Sequence, residues 1–237
     1  MENRFNSSSV PASSDWGRSA YAPDMATRQR VLRNTYLLLA ISMVPTVLGA
    51  WIGVASGAMA LLSGGLGMAV FLIGAFGFMY AIERTKQSGT GVLVLLGFTF
   101  FMGLMLAPLL SAVLGRANGA RLIMTAFAGT GGVFAVMAVL SSVVKRDLSG
   151  MGQWLFVGAL VILFGGLINL FLGSSAMMLA LSTLCVGIFS LYMLYDLKRI
   201  IDGGETNYIS ATLALYLDIY NVFQSLLVIL GLTSDRD

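Results

Sequence analysis

The sequence predicts an all-α membrane protein with seven transmembrane helices. Hydrophobic residues make up 57% of the 237 positions and charged residues only 11%, whereas a soluble domain carries about 25% charged residues. The apolar residues form continuous runs, not the alternating ~10-residue pattern of a transmembrane β-barrel, so we exclude a barrel. At about 20 apolar residues per span, the chain has room for roughly seven helices and a tail.

The first element is a polar tail, residues 1–27, rich in serine, asparagine and proline. Such a composition predicts a disordered segment, and it lacks the short apolar core of a cleavable signal. Arginines at the start of the next segment mark the membrane surface. The transmembrane domain then covers residues 28–232, and a short tail of residues 233–237 ends the chain.

The apolar runs define the spans. We place them at residues 32–54, 58–81, 91–114, 121–144, 153–172, 175–197 and 211–231. Pro45 in the first span and Pro108 in the third are expected to kink their helices, which neighbouring helices tolerate in a membrane. Glycine is frequent in the second and fourth spans. It indicates close helix packing there, with a hinge or a pore lining as the alternative.

The basic residues predict the orientation. Eleven of the fourteen lysines and arginines fall on the side that holds the N-terminus, and the other three fall on the opposite side. The positive-inside rule therefore places the N-terminus in the cytoplasm, and seven spans place the C-terminus outside. Because the basic residues cluster at helix ends, the net charge of +3 indicates topology and not nucleic-acid binding.

Two aspartates lie in predicted spans, Asp196 in the sixth and Asp218 in the seventh; the other nine acidic residues lie in tails or turns. A carboxylate in lipid costs roughly 2.5–3.5 kcal/mol on insertion scales, which makes it a functional-site hypothesis. The two spans are antiparallel, so the carboxylates can face each other. Such a pair shares a proton, which predicts a pH-sensing switch, or it offers oxygens to a hard cation such as calcium. For Asp196, pairing with a basic neighbour at the interface is the alternative.

Three further side chains are candidates. Arg84, at the end of the second span, is a cation that would compete for the carboxylates, or it is an ordinary membrane-surface anchor. Asn221 and Gln224 follow Asp218 at intervals of three, which predicts a supporting polar stripe along the seventh span. Interhelical hydrogen bonding is the simpler interpretation of these two amides.

The sequence argues against an enzyme. It contains no histidine, so it has no HExxH zinc site and no serine–histidine dyad. An intramembrane aspartyl protease would carry Gly-x-Gly-Asp, whereas Asp218 follows Tyr216 and Leu217. The single cysteine excludes an internal disulfide. We therefore predict no catalytic residues and no resident cofactor, with transient calcium as the one ligand to consider.

Several stretches resemble the Bax inhibitor-1 family, also called the transmembrane Bax inhibitor motif family. The strongest are SLYMLYD at residues 190–196 and YLDIYNVF at residues 216–223. VLRNTY at residues 31–36 and GGETNYI at residues 203–209 are similar to its bacterial YccA-like branch. The resemblance covers about residues 28–232.

The resemblance implies a fold in which six helices pack around a central C-terminal helix. In calcium-leak members, paired aspartates on the last two helices form a proton-sensitive gate latched by an arginine. Asp196 and Asp218 match these positions, and we take Arg84 as the latch. In the YccA-like branch, the protein lies in the bacterial inner membrane and restrains FtsH, a membrane-anchored ATP-dependent protease. The resemblance thus implies FtsH and the lipid bilayer as partners. With the orientation predicted from the basic residues, the C-terminus is periplasmic. The cytoplasmic tail, residues 1–27, is our hypothesis for the handle that the protease binds.

Overall fold

The computed structural model describes residues 25–57 and 65–234. These residues form seven α-helices and no strand, and each helix is long and apolar enough to cross a membrane. The predicted fold class is therefore confirmed for the described part of the chain. The helices are α1 Met25–Ser56, α2 Gly65–Thr85, α3 Gly89–Leu114, α4 Gly119–Val143, α5 Met151–Leu172, α6 Ser175–Ile201 and α7 Tyr208–Thr233.

The helix boundaries differ from the predicted spans at several ends. α1 begins at Met25, inside the predicted tail, because helical structure continues through the arginine-rich surface segment. The rest of that tail, residues 1–24, lies outside the described residues, as do residues 58–64 of the predicted second span and residues 235–237. α7 begins at Tyr208 because Asn207 caps it, its Oδ1 accepting hydrogen bonds from the next backbone amides.

The closest helix contact joins α1 and α3. A Cβ atom added at Gly103 would lie 2.1 Å from the carbonyl oxygen of Thr46, and one added at Gly49 would lie 2.2 Å from that of Phe100. The two backbones therefore touch at these glycines, as small residues allow in lipid. By contrast, Gly131 of the glycine-rich α4 faces open space.

α7 supplies the largest set of buried side chains, and α5 the smallest. α7 packs against α1, α2, α3, α4 and α6, whereas α5 packs on α6. α5 exposes large apolar side chains such as Trp154 and Phe171, which is typical of a helix that faces lipid. The predicted packing of six helices around α7 is not confirmed, because α5 packs on α6.

Tyrosine hydroxyls attach α7 to its neighbours. The Tyr216 hydroxyl lies 2.9 Å from Thr46 Oγ1 on α1 and 3.4 Å from the Thr99 carbonyl oxygen on α3. One turn later, the Tyr220 hydroxyl donates to the Met102 carbonyl at 3.2 Å. A phenol buried in an apolar site needs such partners. These contacts fix how α7 is rotated, and so which way its aspartate points.

Candidate functional site

The candidate site lies where α6 ends and α7 begins, at what we call the α6–α7 end of the bundle. Asp196 is within two turns of the last residue of α6. Asp218 is farther in, about 15 Å along α7 from its first residue at 1.5 Å per residue. Between the helices the chain reverses at Gly203, whose φ of +81° is in the left-handed region that favours glycine.

The α6–α7 connection is held in place by side chains. Asn207 Nδ2 donates to the Lys86 carbonyl oxygen at 2.8 Å, which ties the start of α7 to the α2–α3 connection. The Asn207 backbone N–H donates to Glu205 Oε1 at 2.9 Å. The carbonyl oxygen of Arg199 accepts the N–H of Gly204 at 2.8 Å. These bonds set the relative position of α6 and α7.

The structure brings the two predicted aspartates together. Asp196 and Asp218 lie close enough for each carboxyl group to act on the other. Asp218 is only 4% exposed, and its Oδ2 has no hydrogen-bond partner among the described residues. Two carboxyl groups held close together cannot both ionise without a large cost, so one of them tends to keep a proton. Proton sharing between Asp196 and Asp218 stays a prediction.

Arg84 is not in contact with this pair. Its Nε donates to the Tyr80 hydroxyl at 3.1 Å, and its guanidinium lies 5.2 Å from the centre of the Tyr80 ring. The cation whose charge acts on Asp196 is Arg199, three residues farther along α6. That Arg84 acts as a latch stays a prediction. Such a latch would require α2 to move so that Arg84 reaches the aspartates.

The predicted polar stripe does not form a single face, which corrects the sequence interpretation. Asn221 Nδ2 donates to the Leu217 carbonyl oxygen of its own helix at 2.8 Å. Gln224 is exposed, whereas Asp218 is buried. With 3.6 residues per turn, each step of three residues rotates the position by about 60°, so Gln224 is turned well away from Asp218.

Sequence reasoning missed two residues of the site, Arg199 and Glu205. Arg199 Nη2 lies 3.4 Å from Glu205 Oε2. Sequence reasoning assigned Arg199 to the membrane-surface rim and Glu205 to a turn. The available signal was the spacing, because Arg199 follows Asp196 by three positions and therefore lies on the same side of α6.

A cavity of about 150 Å³ opens beside Asp196, and Asp218 is not part of its lining. Its walls come from the end of α6, the α6–α7 connection and the first two turns of α7. The lining includes Asp196, Arg199, Glu205, Ser210, Ala211 and Ala214. Carboxylate, guanidinium and hydroxyl groups share this space, so it is polar enough to hold water.

The described residues contain no group of three acidic, histidine or cysteine side chains placed to hold a metal ion. Calcium takes six to eight oxygen ligands, so Asp196 and Asp218 would supply only part of its shell. The remaining oxygens would have to come from hydroxyls, backbone carbonyls or water. Calcium binding at the pair stays a prediction.

Comparison with known proteins gives a consistent result. Residues 28–235 match the family described as "Inhibitor of apoptosis-promoting Bax1". An Escherichia coli K12 protein named "Modulator of FtsH protease YccA" is 35% identical over 89% of this chain and 93% of its own length. An uncharacterized protein of Neisseria meningitidis serogroup A is 37% identical over 89% of this chain and 94% of its own. An uncharacterized membrane protein of Vibrio cholerae is 35% identical over 88% and 92%.

Proposed function

This chain belongs to the Bax inhibitor-1 family, and we propose that it is a regulatory protein that modulates the membrane protease FtsH. It is a multi-pass inner-membrane protein. The observation that carries the proposal is the likeness to the Escherichia coli modulator along nearly the full length of both chains. A regulator acts by binding, so the proposal assigns no catalytic residue.

The proposed orientation follows from the basic residues. Lys86, Lys198 and Arg199 all lie at the α6–α7 end, where the helical part of α1 also begins. The positive-inside rule assigns this end to the cytoplasm and the C-terminus to the periplasm. This orientation assigns residues 1–27 to the cytoplasmic side, where we propose that they are offered to the protease as a handle.

Co-purification tests the FtsH proposal. Three forms of the protein are each expressed with tagged FtsH. The first is the full chain, the second lacks residues 1–27, and in the third those residues are replaced by a glycine–serine segment of equal length. We expect the full chain to associate with FtsH and both altered forms to associate less, because both lack the sequence of residues 1–27. The glycine–serine form keeps the length of the tail, so weaker association of that form is due to the lost sequence and not to a shorter tail.

The outcomes separate two claims. If no form associates with FtsH, the proposed modulation is wrong. If all three forms associate equally, the tail is not the handle, and the contact must come from residues 28–232. The rate at which FtsH degrades a membrane substrate, with and without the chain, shows whether the association restrains the protease.

The buried carboxyl group of Asp218 near Asp196 favours a second candidate function, a pH-gated calcium leak. Asp218 is buried beside Asp196 and has an unpartnered oxygen, an arrangement that is costly in lipid and typical of ion or proton pathways. When the shared proton leaves, two like charges remain in contact, and their repulsion favours separation of α6 and α7. The pair is thus a switch whose closed state is the protonated one.

Calcium flux into proteoliposomes between pH 6 and pH 8 tests this candidate. We expect the flux of the wild type to change with pH and the flux of Asp196→Asn and Asp218→Asn to lose that dependence. Asp202→Asn is the matched control, because Asp202 lies at the same end and pairs with Lys198 at 2.7 Å. Equal pH-dependent flux in wild type and both pair variants would remove the aspartates from the mechanism.

Asp147 provides a second control, since it lies outside the helices at the same end. The backbone amide and hydroxyl of Ser149 donate to its carboxylate and hold the pKa of Asp147 below its usual range. A lowered pKa keeps this group ionised above about pH 4. Its titration therefore lies below the tested window, and Asp147→Asn should leave the pH response unchanged.

A further inference from the structure

The cavity beside Asp196 is walled on one side by the first two turns of α7. Its inner wall includes Ala211 and Ala214, and Ala214 precedes Asp218 by one helical turn. Methyl side chains at these two positions leave space that a leucine or phenylalanine would fill. At roughly 30 Å³ per water molecule in the liquid, a volume of about 150 Å³ holds several waters. The cavity thus extends from the α6–α7 end to within one turn of the buried carboxyl.

The outer rim of this cavity carries the Arg199–Glu205 ion pair. The Arg199 side chain is 48% exposed and the Glu205 side chain 18% exposed, with 3.4 Å between Nη2 and Oε2. The backbone beneath them is fixed, because Arg199 O accepts the N–H groups of Gly204 and Glu205. Solvent reaches both side chains, so the ion pair can break while the backbone of the rim stays in place.

Charged groups of both signs line the cavity. The charges of Arg199 and Glu205 act on Asp196, and the charges of both aspartates act on the Tyr192 hydroxyl. Asp196 and Glu205 both line the cavity, so a cation that enters it comes near both carboxylates. While the ion pair is intact, Arg199 offsets the negative charge of Glu205 and weakens its attraction for a cation.

From these contacts we propose that the cavity is an aqueous vestibule through which hydronium or a small cation reaches Asp196 and Asp218, and that the Arg199–Glu205 ion pair closes it. The proposal rests on the leak function proposed above, and the cavity is its geometric evidence. It makes Arg199 and Glu205 positioning residues that control access. Lys198 precedes Arg199 by one position and Asp202 precedes Glu205 by three, and this second ion pair does not line the cavity.

Cysteine accessibility tests the vestibule without measuring transport. In a Cys185→Ser background, Ala214→Cys places one thiol on the inner wall. A small, positively charged, membrane-impermeant methanethiosulfonate reagent is added to inverted or right-side-out membrane vesicles, and the modification rate is measured. We expect slow modification that requires access to the α6–α7 end, and a rate at least tenfold higher when Arg199→Gln is added, because this change breaks the ion pair and leaves the Glu205 carboxylate free to attract the reagent.

Two controls isolate the ion pair. Asp202→Asn breaks the neighbouring Lys198 pair and should leave the rate unchanged. The charge exchange Arg199→Glu with Glu205→Arg should return the rate to the slow value, because it restores an ion pair at the rim. A stability measurement in detergent confirms that each variant is folded, and denatured protein confirms that the introduced thiol is reactive.

Equal rates with and without Arg199→Gln would overturn the closure. Modification from the opposite end, or none from either end in any variant, would overturn the vestibule. Calcium flux is scored separately. If the thiol becomes accessible as expected but no variant conducts calcium, the vestibule stands and the leak function fails.

Discussion

The Tyr216 hydroxyl on α7 lies 2.9 Å from Oγ1 of Thr46 on α1, although 170 residues separate them in the chain. Thr46 Oγ1 also donates to the Ser42 carbonyl oxygen at 2.9 Å. The contact lies two positions before Asp218, so it holds the helix that carries the buried carboxyl. The stability of the bundle around the aspartate pair depends on this attachment.

Tyr216→Phe should lower the free energy of unfolding by about 1 kcal/mol, the upper part of the range for interhelical hydrogen bonds in membranes. The phenyl ring keeps the packing, and only the hydroxyl contacts with Thr46 and the Thr99 carbonyl are lost. The measurement is reversible unfolding in mixed micelles. Tyr80→Phe is the control, because Tyr80 is 63% exposed. An equal loss in both variants would show that the interhelical contact has no special role.

Gly103→Ala should destabilise the protein by about 1–3 kcal/mol, the usual range for overpacking. The added methyl group would lie 2.1 Å from the Thr46 carbonyl oxygen, so α1 and α3 must separate. Gly166→Ala in α5 is the matched control, since a Cβ atom there meets nothing within 4 Å. It should be neutral or slightly stabilising because alanine favours helix. Thermal unfolding in detergent measures both, and equal midpoints would contradict the close contact.

Asp218→Asn should retain the thermal stability of the wild type and make it less dependent on pH between 6 and 8. The asparagine amide can donate a hydrogen bond to the Asp196 carboxylate without needing a shared proton. The substitution removes the contribution of Asp218 to the linkage between protonation and folding, while Asp196 still titrates. Thermal midpoints at pH 6, 7 and 8 measure the effect. A large fall in the midpoint at every pH would mean that Asp218 is held by contacts other than this pair.

Arg116→Ala should loosen the last turn of α7. Arg116 Nη1 donates to the Gly231 carbonyl oxygen at 2.5 Å, and hydrogen bonds from charged groups contribute about 1.5–3 kcal/mol. Hydrogen–deuterium exchange at residues 229–234 should become faster. Arg121→Ala, an exposed arginine at the same end, should leave that exchange unchanged. Unchanged exchange in Arg116→Ala would show that the turn is held without this bond.

Properties that depend on a single segment of the chain could be predicted from the sequence. The seven spans followed from runs of apolar residues, and helix existence in lipid needs little more than such a run. The two aspartates followed from their depth and charge, because the cost of a carboxylate in a span does not depend on which helix faces it. The antiparallel order of α6 and α7 followed from the short turn between them.

Other properties depend on how each helix is rotated about its axis and packed on its neighbours. Arg84 and Arg199 both end a helix at the same end of the bundle, yet only Arg199 is near Asp196. Hydropathy predicted that both reach the surface but carried no information on which one faces the pair. Similarly, glycine content pointed to α2 and α4, whereas the closest backbone contact joins α1 and α3 through Gly49 and Gly103.

The sequence by itself therefore determined the membrane-spanning fold, the family resemblance and the presence of two costly carboxyl groups in the last two helices. The tertiary structure decided that these carboxyl groups lie near each other, that Gln224 is exposed whereas Asp218 is buried, and that Arg199 and Glu205 line the cavity beside Asp196. The physical reason is that burial cost is a property of a residue in its segment, whereas contact requires the rotation and packing of helices that are distant in the chain.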